Sequence, residues 1–158
     1  MPESQSTVSS LRREVDDLLA GEFSHALRFF ERSARRHKTE PDDVNNEITV
    51  GVLTGPNHVG LRIKVCVTAE EAVLIADAGL QFVFDQPIEV SSTALSIMLC
   101  DHVLPALMPL LVGWMINEVN QFELPVTVPF TEIYPDLQFQ IRGVVARLDA
   151  EAQSAEKA

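Results

Sequence analysis

The chain has 158 residues, enough for one domain with a real core. With 46% hydrophobic and 22% charged residues, seven Gly and nine Pro, it has a globular composition that excludes the disordered and fibrous classes. The net charge of −11 is concentrated in residues 39–136, where 14 acidic residues meet only Arg62 and Lys64, so nucleic acid and anionic membrane surfaces are disfavoured and a basic protein partner is favoured.

Cys66 and Cys100 lie in unrelated contexts without a CxxC pair, which fits a reducing compartment. Residues 1–10 are polar and lack the basic and apolar regions of a secretory signal, so a cytoplasmic location is expected. One unit over 1–158 is expected, with 1–22 as a helical extension and 153–158 as a flexible tail.

Val8, Leu11, Val15, Leu18 and Leu19 recur at helical spacing, with Ser9 and Ser10 able to cap the helix and Gly21 following as a stop. Residues 23–38 allow two readings. Phe23, Ala26, Leu27, Phe30 and Ala34 suit a helix, whereas Leu27 and Phe29 suit the start of an Arg-rich strand. Residues 39–47 are a polar connector.

Ile48, Val50 and Val52 then open a strand, Gly55-Pro56-Asn57 supplies a turn, and Val59, Leu61, Ile63, Val65 and Val67 share one face of a second strand. After Glu70-Glu71, residues 72–84 form a third, so an antiparallel meander is expected. Asp77 interrupts an apolar strand and marks, with Ile75, its solvent face.

Ser91 and Ser92 can cap a long apolar helix that runs to about residue 120, with a break expected near Pro105 or Pro109. Its most apolar run, residues 103–116, has 14 uncharged residues between Asp101 and Glu118. A membrane span needs about 20, so it reads as a buried helix. Residues 122–134 hold Pro125 and Pro129 among alternating apolar positions and read as an extended loop. Leu137, Ile141, Val144, Val145 and Leu148 return to helical spacing over 137–152.

Catalytic chemistry finds little support. Cys100-Asp101-His102 are consecutive helix positions about 100° apart, so they are poorly placed to act together. His25, His37, His58 and His102 show no metal-binding spacing, and the glycines form no phosphate-binding pattern. No enzyme activity, metal or cofactor is expected. What stands out is an apolar surplus in the long helix, with Met108, Trp114 and Met115, and in the loop after it, which calls for an interface. A homo-oligomer without clients, an assembly subunit with one fixed partner, and a client-binding protein all stay open on this ground.

The order of elements over residues 47–150 resembles the SecB-type protein-export chaperones. The residues that carry the resemblance are EAVLIAD at 71–77 running to Phe84, Leu107-Met108-Pro109, and Phe122-Glu123-Leu124-Pro125 leading through Val128-Pro129-Phe130. The resemblance implies an α+β fold: about four antiparallel strands per subunit, with a long helix, a crossover loop and a C-terminal helix packed on one side. It further implies an ATP-independent holdase, homotetrameric as a dimer of dimers, that binds unfolded or nascent polypeptides for export through a SecA-type motor or guards one client such as an antitoxin.

Carried onto this sequence, the resemblance places client contacts at Leu124, Val126, Val128, Phe130, Ile133 and Tyr134, with Phe82 and Phe84 from the sheet. It places SecA-like docking at Ile75 and Asp77, and the subunit interface at Met108, Leu111, Trp114 and Met115. The family's pattern starts with a strand near the N-terminus, whereas here a helix comes first and only residues 26–37 can supply that strand; this departure and the short C-terminus without an acidic cluster point toward a solitary SecB-like chaperone.

Overall fold

The computed structural model describes the backbone of residues 3–128 and 130–157 and the side chains of 7–128 and 134–157. Helix α1 (Glu3–Leu19) precedes four strands, β1 (Phe23–Arg36), β2 (Asn45–Gly55), β3 (His58–Thr68) and β4 (Ala72–Phe84). All neighbours are antiparallel, in the spatial order β1-β4-β3-β2. Helix α2 (Ser92–Met98) continues through one π-helical turn, Leu99–Val103, into α3 (Leu104–Gln121), and α4 (Phe130–Glu156) closes the chain.

The expected meander is present, because side chains two apart along a strand share a face. Leu61, Ile63 and Val65 of β3 and Leu74, Ala76 and Ala78 of β4 are buried in one core with α2, α3 and α4. The two-residue turn after Gly55 is tied to the far end of β4, since Phe84 N–H donates to Asn57 O at 2.8 Å.

Residues 23–36 resolve as a strand, not a helix. Phe23, Leu27 and Phe29 pair with Phe84, Leu80 and Ala78, and a bulge between Phe29 and Glu31 leaves Phe30 as the extra residue. Helix α1 also starts earlier than expected, so Ser9 and Ser10 lie inside it and Ser10 Oγ donates to Thr7 O at 2.7 Å. Of its apolar stripe, Val15 is fully buried and Leu11, Leu18 and Leu19 pack half-buried against the core, whereas Val8 is exposed.

Ser91 caps the long helix as expected, its Oγ accepting from Ala94 N–H at 3.2 Å. The helix does not break at either proline. The π-turn carries Leu104 N–H to Leu99 O, and this widened turn comes just before Pro105, which has no N–H to continue the ladder. The whole segment Ser92–Gln121 is long and apolar enough to cross a membrane by length and composition. In the fold one face of it packs on the sheet.

That face contains Leu104, Leu107, Met108, Leu111 and Met115, each no more than 1% exposed. Met108, Leu111 and Met115, expected at a subunit interface, therefore fill their own protomer's core: spacings of three and four return them to the sheet side of the helix. The outward side carries Leu110 and Ile116, with half-buried Trp114 and with Gly113, where an added Cβ would meet open space.

The C-terminal helix is longer at both ends than its spacing suggested. It begins at Phe130, so Tyr134 sits on a helix and not in an extended loop, and it tolerates Pro135 inside. At the other end it runs to Glu156, where Ser154 Oγ donates to Ala150 O at 2.8 Å, so most of the expected flexible tail is helical.

Candidate polypeptide-binding groove

A groove of about 440 Å³ runs between the edge strand β2 and α4, lined by Ile48 and Val50 on one side and Phe139, Gly143, Val144 and Arg147 on the other. Ile48 and Val50 are half-buried on the core side of the sheet, where they pair with Val65 and Ile63. Phe139 stands 80% exposed, the most exposed large hydrophobic side chain among the described residues. It falls between the inward residues Leu137 and Ile141, which are fully buried. At Gly143 an added Cβ would meet nothing within 4 Å, so the missing side chain keeps the groove open.

Among the described residues β2 pairs only with β3, which leaves its other edge without a strand partner beside the groove. An extended peptide added there gains main-chain hydrogen bonds from the strand and apolar pockets from alternate side chains. None of the groove residues was singled out as a site from the sequence. The signal was available as a phenylalanine off the core stripe of a helix, with a glycine one turn on.

The residues expected to touch a client divide into several places. Val126 and Val128 lie in the crossover segment, half-buried against the core, as is Tyr134 on α4. Burial raises the pKa of the Tyr134 hydroxyl, with smaller contributions from Cys100 and Asp101. Leu124 is only 6% exposed and belongs to the ending of α3, its N–H donating to Val119 O at 3.0 Å. The side chains of Phe130 and Ile133 lie outside the described residues. Phe82 and Phe84, each 4% exposed, pack with Phe23 at ring separations of 5.0 and 5.4 Å. In the free protomer they are core, because even-numbered β4 residues face the helices.

The opposite face of the sheet carries Ile75 and Asp77. Ile75 is half-buried, while Asp77, expected as a solvent-face acid, is 3% exposed. Both its oxygens are taken: Arg62 Nε donates to Oδ1 at 2.9 Å and Nη2 to Oδ2 at 2.8 Å. This bidentate pairing also raises the guanidinium's pKa, chiefly through the hydrogen bonds. Arg62 further lies over the Phe30 ring at 3.9 Å, and Lys64 Nζ donates to Glu31 Oε2 at 3.1 Å. The face is therefore charge-paired and capped by an aromatic ring.

Cys100, Asp101 and His102 do not assemble into a catalytic group. Cys100 Sγ lies 3.9 Å from Gln138 O, and Asp101 turns to Arg12 at 3.8 Å. Burial pushes the Cys100 thiol up despite the pull of Arg142, which keeps it protonated and a poor nucleophile. Among the described residues, no group of three or more His, Cys, Asp or Glu is placed to hold a metal ion.

A four-stranded antiparallel sheet with a long helix and a C-terminal helix on one face, joined by a short crossover, is a SecB-like fold. The chain superposes on the SecB-like chaperone Rv1957 of Mycobacterium tuberculosis, solved in complex with a ChAD peptide from the Rv1956 HigA1 antitoxin. The TM-score is 0.50 and the identity 17%, covering 77% of this chain and 95% of that one. No protein-family model and no curated protein matches the chain.

Proposed function

We propose that this protein is an ATP-independent chaperone that holds a non-native polypeptide in extended form along the β2–α4 groove. The observation that carries the reading is Phe139, 80% exposed across from half-buried Ile48 and Val50 on an edge strand. A folded protein gains nothing for its own stability from such a ring, whereas an arriving apolar chain does. The fold it shares with a chaperone solved with an antitoxin peptide supports a dedicated client of that kind. Engagement of Asp77 by Arg62 argues in the same direction, because it removes the free carboxylate that a SecA-type partner would meet at that position.

The working form in this reading is a cytoplasmic homotetramer built as a dimer of dimers, with Leu110, Trp114 and Ile116 as the helix face that meets another subunit. The test is an aggregation assay without nucleotide. Substoichiometric protein is expected to delay aggregation of an unfolded model client, and Phe139→Asp is expected to abolish the delay. Absence of any delay with the wild type sinks the proposal.

A further inference from the structure

The crossover segment leaves α3 through an ending that glycine usually makes. Glu123 has φ 47°, and among the described residues it is the one non-glycine with positive φ. It stands at the left-handed position of a Schellman ending, in which Leu124 N–H reaches back to Val119 O at 3.0 Å. A Cβ in that conformation is disfavoured, so something outside the turn has to hold it.

Arg36 is placed to do so. Its Nη2 donates to Glu123 O at 3.2 Å and to Phe122 O at 3.4 Å, the carbonyls left without helical partners where α3 ends. The guanidinium also meets the negative end of the helix dipole. Arg36 is the last residue of β1 and pairs with Ala72 of β4, so a sheet edge grips a turn 87 residues away in sequence. Just beyond this turn come Val126, whose N–H donates to Leu124 O at 2.8 Å, then Val128 and the start of α4.

We infer that Arg36 is a positioning residue: it latches the strained Glu123 turn and thereby sets where the crossover segment and α4 present their apolar residues. This rests on the reading of the groove as a polypeptide site, although Arg36 itself lines no part of that groove. A merely structural surface arginine would not be answerable to the residue at position 123. The latch is.

Two measurements separate the latch from the function it serves. Hydrogen exchange at the Leu124 amide reads the latch with no client present: it should quicken in Arg36→Ala and return toward the wild-type rate in Arg36→Ala/Glu123→Gly, because glycine needs no holding. Binding of a labelled peptide of alternating apolar and polar residues should weaken about fivefold in Arg36→Ala, the scale of one charge at a helix terminus. The double variant should recover it, and Arg36→Lys should recover part, at unchanged melting temperature. Unchanged exchange in Arg36→Ala, or a loss that Glu123→Gly does not restore, overturns the inference. If exchange behaves as expected while the wild type binds no peptide, the latch stands and the chaperone reading falls.

Discussion

Truncation of Phe139 to alanine separates a binding role from a folding role by magnitude. A phenylalanine side chain presents about 150–250 Å². With 80% of it exposed, about 120–200 Å² waits to be covered. At about 25 cal/mol per Å² that area sets an upper limit of roughly 3–5 kcal/mol on what a client gains there. A bound chain leaves part of the ring wet and loses its own freedom, so about 2 kcal/mol should survive, roughly 30-fold in Kd. In the free protein the same truncation removes little buried surface, and stability should change by no more than about 0.5 kcal/mol. Fluorescence anisotropy with a labelled apolar peptide measures the first quantity, and urea unfolding the second. Affinity held within about twofold would refute the groove as the client site. So would a stability loss comparable to the affinity loss, since the ring would then belong to the fold.

Leu111→Ala should cost about 2–5 kcal/mol in urea unfolding because the side chain is fully buried within the protomer. Ile116→Asp should leave the chain folded and, in native mass spectrometry, dissociate the proposed tetramer, since that residue faces outward. Gly143→Ala should stabilise α4 by up to about 1 kcal/mol, as a Cβ there meets open space. The bulkier Gly143→Leu should weaken peptide binding by filling the groove. In native protein a thiol reagent should label half-exposed Cys66 first, while Cys100, buried and with its thiol pushed up, should react only on unfolding. Equal labelling rates would contradict the placement of Cys100.

The strands over residues 48–84 were legible because their apolar residues alternate along one face, although β2 begins at Asn45, inside what read as a connector, and Ser91 marked the helix start correctly. Strand β1 was not, for a local reason. The bulge at Phe30 shifts the period of two by one residue, so Phe23, Leu27, Phe30 and Ala34 mimic helical spacing although they belong to an edge strand. Pro105 suggested a break because sequence spacing cannot show a π-turn that accommodates a proline. The proposed client site was harder still. Spacing finds residues that face a core, and Phe139 faces none; the apolar residues that the family resemblance pointed to, such as Met108 and Leu124, are buried within the chain.

The long, largely apolar helical segment Ser92–Gln121 also bears on how the chain is made. A nascent segment of that length and composition, emerging from a ribosome with nothing to cover it, presents the features that membrane-insertion machinery selects. Here every strand of the sheet precedes it, from Phe23 to Phe84. Synthesis runs from the N-terminus and ordered units form as they emerge. The helix therefore arrives after the surface that buries Leu104, Leu107 and Met108 has been synthesised, so the order of elements along the chain shortens the time its apolar face waits for a partner.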